Sequence, residues 1–281
     1  MQMLPFPLHK LDGRAVISVT GPEASPFLQN LVTADVADLR EGQAVYAALL
    51  QPQGKILFDF FILRHEDGFL LDCVRARKAD LLKRLMLYKL RSQVTLGDGN
   101  DEVGVSFAEP VGLFYRDPRL RELGFRIIAE AGTLPRAPDE AYRFGTIRYG
   151  IADSEDDIGS GALFPHEANL DQLGAVSFTK GCYIGQEVVS RMQHRGTARN
   201  RILPVHITGG APTSGINVMA GTRIIGSLLS SRGSDALALL RIDRLKDAVE
   251  AGETLLTEGK PLRVRKPDWV RFDVTLPEES P

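Results

Sequence analysis

Residues 180–187 read K-G-C-Y-I-G-Q-E and set Cys182 between two glycine-punctuated bends. A cysteine thiolate is both a nucleophile and a soft metal ligand, and nearby cations or a helix N-terminus favour it. Gly181 and Gly185 permit sharp bends and close backbone approach. If Cys182 lies at or just before the start of a helix over Gln186–Met192, free N–H groups and the helix dipole would favour thiolate chemistry. Lys180, with Arg191 or His194, would add positive charge there. The competing reading is that a lone cysteine is a small buried hydrophobe. The polar, glycine-flanked neighbours keep both readings open.

Three further groupings could do chemistry. Asp59 lies in the apolar run 55–63 between Phe58 and Phe60, and a period of two sends its carboxylate opposite to those rings. It either faces solvent or lines an aromatic-walled pocket, where it could accept hydrogen bonds from the aminopyrimidine edge of a pterin-like ring. His166 and Glu167 are adjacent, but Leu170 occupies the position where a zinc-binding H-E-x-x-H motif needs its second histidine, and no metal site is expected. Cys182 with His166 or His194 and Glu187 would make a hydrolase triad only if they converged in space. Arg191–Arg195, with Arg199 and Arg201, reads either as a solvated face or as an anion-binding rim.

These residues must be held by elements legible in the pattern. Strands are expected over 14–19, 43–50, 55–63 and 69–74, with Asp67-Gly68 as a hairpin turn. Helices are expected over 23–31, with Pro26 in the first turn, over 77–90, and from about 138 to 149. Short strands are expected over 93–96, 103–107, 111–115 and 125–129, and the run 175–178 ahead of the cysteine also has strand character. From Arg199 onward short β-like runs (202–207, 221–229, 236–241, 261–265 and 269–276) suggest a small barrel. The fold class is therefore α+β with a C-terminal β-barrel. The expected units are an N-terminal α+β domain over 1–110, a second α+β segment over 111–198 that carries the cysteine loop and can share strands with the first, and a barrel over 199–281.

Composition bounds the function. A chain of 281 residues, 43% hydrophobic and 25% charged with net charge −2, fits an ordinary globular protein and gives no electrostatic case for nucleic-acid binding. Its two cysteines, Cys73 and Cys182, cannot alone make a thiolate cluster or a disulfide scaffold. No signal peptide or membrane span is read from the sequence, so bacterial cytoplasmic residence and no membrane partner are expected. No P-loop or Rossmann glycine run is present.

The octet resembles the K-G-C-[FY]-x-G-Q-E signature of YgfZ-type folate-binding proteins, relatives of the glycine cleavage T-protein, an aminomethyltransferase. The resemblance extends from about residue 12 to 200. Gly21, Ala24, Phe27, Leu28 and Leu31, followed by Thr33, Asp35 and Val36, resemble the family's opening. Gly54–Phe60 resembles its G-x-I-x-x-D strand, and Phe164, Pro165, Glu167, Asn169 and Leu170 resemble the segment before the signature. The likeness implies a clover-leaf of domains around a central folate cavity, closed by a small β-barrel. It implies a folate-binding accessory protein for assembly or repair of iron–sulphur proteins, with no classical turnover and Cys182 as the functional thiol. Lys180, Gly181, Tyr183, Gly185, Gln186 and Glu187 would form the loop bordering the cavity. Tetrahydrofolate or a derivative would meet Asp59, Phe58, Phe60, Arg148, Phe164 and Arg191, with a transient iron–sulphur cluster contact at the thiol. The partners are then folate and iron–sulphur client or assembly proteins, and the chain is expected to be a monomer. The alternatives are a folate-dependent one-carbon transferase and a non-enzymatic module that recruits clients. Two departures weaken aminomethyl transfer: Phe58 stands where T-proteins carry a second acid, and Arg148 where they carry a folate-contacting glutamate.

Overall fold

Two antiparallel sheets and a closed barrel organise the chain in a computed structural model that describes residues 6–196 and 198–276. The first sheet is built from β2 (Arg14–Thr20), β3 (Ala44–Leu50), β4 (Ile56–His65), β5 (Gly68–Val74) and β6 (Thr95–Gly97) in the order β3-β4-β5-β2-β6. The second joins β1 (His9–Lys10), β7 (Glu102–Ser106), β8 (Leu113–Arg116) and β9 (Phe125–Ala129) in the order β1-β7-β9-β8. Strands from both sides of residue 110 share this second sheet.

Alternation along β4 sorts its side chains. Phe58, Phe60 and Ile62 face a core under α1 (Ala24–Gln29) and α2 (Lys78–Lys89), while Phe61 and Leu63 face the opposite core, which Ile56 joins because the pairing with β3 shifts register between Leu49 and Leu50. Full burial of a side chain such as Ile62 or Leu71 contributes about 2 kcal/mol. Of the apolar stripe read along α2, Leu81 and Leu85 are buried, whereas Met86 and Leu90 are exposed. Leu82 and Tyr88 pack against the same core while partly buried.

The second core is where the parts meet. Both sheets, α3 (Glu140–Arg148), α4 (Gln186–Arg195) and the barrel all send residues into it, among them Tyr46, Phe61, Tyr115, Ile147, Val189 and Leu237. The barrel itself closes as β10 (Asn200–Ile207), β13 (Asp235–Arg241), β12 (Arg223–Arg232), β11 (Asn217–Ala220), β14 (Leu255–Thr257) and β15 (Lys260–Val264), with β15 pairing back onto β10. Helix α5 (Ile242–Glu250) packs Leu245 and Ala248 into its core. The run 269–276 forms no strand among its described residues. The run 175–178 is likewise unpaired in any sheet. It is tied instead to Thr33, whose hydroxyl donates to Ala175 O at 2.6 Å and whose carbonyl accepts from Ser177 N at 2.9 Å.

Candidate functional site

Thr33 begins the anchoring of the cysteine loop and Lys180 completes it. The Lys180 ammonium donates to Val32 O at 2.8 Å and Ala34 O at 2.7 Å, and the residue is buried. Burial pulls its pKa down to about 8. Lys180 therefore points into the protein and braces the loop, instead of lying beside the thiol as a surface cation. Tyr183 is also buried, its ring centroid 5.3 Å from that ammonium, and burial pushes its phenol up to about 12.

Between these two buried anchors Cys182 is exposed. It lies three residues ahead of Gly185, the N-cap of α4, just before the helix start. Gln186 reaches back over it and donates to Gly181 O at 3.3 Å. Gly185 has φ +80°, and a Cβ there would meet Gln51 O at 2.7 Å and Gly54 Cα at 3.1 Å. Gly54, at φ +84°, would collide with Val188 in the same way. Two glycines thus let the β3–β4 turn and the start of α4 touch, which fixes the loop between them. Gly181 meets open space, so its smallness clears the approach to the thiol and serves no packing contact.

Glu187 and Arg191 pair with each other at 2.6 Å on the exposed face of α4. Such a pair adds at most about 1 kcal/mol. His166 is buried, bonds Gln193 Oε1 through Nε2 at 3.0 Å, and has its pKa lowered by burial. His166 and Glu187 have other partners and His194 lies exposed in the last turn of α4; among the described residues no hydrogen bond joins any of them to Cys182. Arg201 is buried against Asp171 at 2.6 Å and leaves the cationic surface expected over 191–201. Among the described residues no group of three or more His, Cys, Asp and Glu could hold a metal ion.

The expected folate contacts do not converge. Asp59 is buried and accepts from Tyr46 Oη at 2.6 Å and Ser154 Oγ at 2.5 Å, which favours neither solvent nor an open ligand edge. Phe58 and Phe60 pack into the core under the helices, as the strand alternation requires. Phe164 lies under the Lys55 ammonium at 5.7 Å, Arg191 is on the surface of α4, and Arg148 lines a separate cleft against the barrel.

Beside Asp59 the interior is closed by charge pairs that sequence reading missed. Asp72 accepts from Arg14 Nε at 2.7 Å, Arg126 Nε at 2.7 Å and Tyr115 Oη at 2.9 Å. Burial works to raise its pKa, but Arg126 and Arg14 outweigh it and hold the carboxylate below the ordinary range. Arg126 and Arg119 cover the Phe61 ring at 4.3 and 4.8 Å. Phe61 was within reach of the sequence, since it shares the face of Asp59; Arg126 comes from β9 and Arg119 from the loop after β8, and neither carries a local signal. The cavity between Arg14, Phe61, Arg119, Arg126, Tyr142 and Ser154 measures about 120 Å³. Ligand pockets for molecules of folate size start near ~300 Å³, so this cavity does not fit a whole tetrahydrofolate.

Residues 12–105 match the GCVT N-terminal domain, and residues 199–272 match the C-terminal beta-barrel domain of CAF17. The chain is 32% identical to the mitochondrial iron–sulfur cluster assembly factor IBA57 homolog of Pyricularia oryzae, over 93% of this chain and 84% of that protein. It is 31% identical to human mitochondrial IBA57, over 92% of this chain and 84% of that protein. The fold superposes on the glycine cleavage aminomethyltransferase T of Bartonella henselae with a TM-score of 0.76 at 16% identity, covering 96% of this chain and 87% of the other. The expectation of a bacterial cytoplasmic setting is corrected by these relatives, which are mitochondrial proteins of a fungus and a mammal.

Proposed function

The chain belongs to the family of the iron–sulfur cluster assembly factor IBA57, and from that premise we propose that it assists iron–sulfur cluster assembly by lending the Cys182 thiolate to a cluster held jointly with a partner. The observation that carries this is the exposed Cys182 suspended between the buried anchors Lys180 and Tyr183. A thiol on a braced loop can meet a bulky inorganic cargo without the loop having to order itself first.

One cysteine cannot hold a cluster, which takes several thiolate or imidazole ligands. The partner therefore supplies the rest. In the exchange the Cys182 thiol gives up its proton, an Fe–S(Cys182) bond forms, and one thiolate–iron bond of the incoming cluster breaks, the departing thiolate taking up the proton; no electron changes hands. The octet Lys180–Glu187 supports the YgfZ-type branch within the family. The T-protein-like fold is folate-related, and the Arg14–Asp72–Arg126 pairs narrow the cavity here to about 120 Å³, so the proposed role routes no step through folate. The one-carbon transferase reading also lacks its second acid, because Phe58 lies in the core.

The test is Cys182→Ala in cells that depend on this protein, with iron–sulfur enzyme activity as the readout. Activity should fall to the level of cells lacking the protein, while purified variant keeps the wild-type unfolding midpoint. Retained activity in a folded variant would reject thiol ligation and leave a recruiting role.

A further inference from the structure

A second cavity lies at the seam between α3 and the barrel, well separated in sequence from the cysteine loop. It measures about 230 Å³, and its walls include Arg148, Tyr149, Pro204, Lys266, Pro267 and Trp269. The seam is tight at its edge: Gly150, at φ +75°, would bring a Cβ to 2.9 Å from Pro204 and 3.1 Å from Pro267. Trp269 donates its indole N–H to Tyr149 O at 2.7 Å, which pins the ring across the joint.

The cations of this cleft are unequally occupied. Arg265 pairs with Asp235 at 3.1 Å, but Lys266 is exposed and has no ion pair among the described residues. Arg148 Nε is buried and has no acceptor among the described residues, and the guanidinium lies 5.7 Å from the Phe144 ring centroid. A buried donor left unpaired costs about 1–3 kcal/mol, so such a group marks a place where an acceptor belongs. Two acids, Glu122 and Asp268, also line the cleft, and both are exposed, whereas Arg148 is half-buried. Apolar walls with a few convergent donors are the usual make-up of a small-molecule site.

We propose that this seam cleft binds a small organic anion with a flat apolar body, its carboxylate-like end on Arg148 and Lys266 and its body against Trp269. A guanidinium takes a planar anion through paired N–H donors, which selects a carboxylate over a neutral amide of the same shape. Because the cleft spans α3 and the barrel, its ligand would also brace the joint between them.

Trp269 is the sole tryptophan of the chain and reports occupancy directly. Titrating the full-length protein with benzoate should change Trp269 emission saturably below about 10 mM. Benzamide, its neutral counterpart, should produce no saturable change. Arg148→Gln should weaken benzoate binding by about tenfold or more. Lys266→Gln, at an exposed position where folding is not at stake, should weaken it about threefold. Linear quenching without saturation, an equal response to benzamide, or undiminished binding in both variants would overturn the proposal.

Discussion

Cys182 and Cys73 occupy opposite environments in one molecule. Cys182 is exposed on a loop braced from behind by Lys180 and Thr33. Cys73 is buried on β5 next to Asp72, and burial pushes its thiol up to about 12. The two regions also differ in how they satisfy charge. The loop sends its one buried cation to backbone carbonyls and leaves its outer face open, whereas the interior around Asp59 and Asp72 closes every carboxylate on arginine, tyrosine or serine. None of residues 180–187 lines the cavity beside these charge pairs, so the exposed thiol and the charge-paired interior are separate regions.

The sharpest way to break this contrast is to count thiols. An uncharged alkylating reagent should modify Cys182 at least ~100-fold faster than Cys73, giving one reactive thiol per native chain and two after denaturation. Equal rates in the native protein would erase the distinction between braced rim and sealed interior. The interior can be attacked next through Asp72→Ala. Removing that carboxylate strands Arg14 and Arg126 together, and breaking a buried pair in this way costs about 3–5 kcal/mol. Urea unfolding should show the loss, and a cost under about 1 kcal/mol would mean the arginines find solvent through an opened cavity. On the loop side, Lys180→Met leaves the carbonyls of Val32 and Ala34 without their donor. The expected loss is about 1–3 kcal/mol, with faster proteolytic cleavage at 178–185 as the local readout.

The sequence was informative where a requirement is local. The octet around Cys182, the strand alternation that separates Asp59 from Phe58 and Phe60, and the barrel runs at 202–207 and 236–241 all follow from neighbouring residues. It was silent where the structure depends on contacts across the fold. Nothing beside Lys180 indicates that its ammonium turns inward to residues 32 and 34, and a cation next to a cysteine invites the opposite reading. Arg14, Arg119 and Arg126 lie on three different segments and meet only because the two sheets pack face to face. Arg148 was aligned with a ligand-binding position, yet the helix turns it toward the barrel seam. β11, β14 and α5 went unread because they are short or sit between stronger strand patterns.

The smallest expected effect concerns how the sealed interior is latched to the barrel. The π-type turn Ser154–Ile158 borders the central cavity, and its Asp157 carboxylate accepts from Ser230 N at 2.8 Å, Ser230 Oγ at 3.0 Å and Asp153 N at 2.7 Å. Burial pushes its pKa up to about 6, against the pull of those hydrogen bonds, and the Asp153 charge pushes it in the same upward direction. In the unfolded chain the carboxyl titrates near its ordinary value of 3.8. Between these values the folded protein binds the proton and the unfolded chain does not, so stability from this group is full below about 4 and is lost as pH rises through about 6. The latch is therefore strained at neutral pH and eased by mild acid. Urea midpoints should rise between pH 7 and pH 5, a window in which the Asp72 carboxylate, held below the ordinary range, stays charged, and Asp157→Asn should remove that rise. If the wild type and the variant follow the same pH curve, the turn is held by its backbone alone and the carboxylate contributes nothing to closing the cavity.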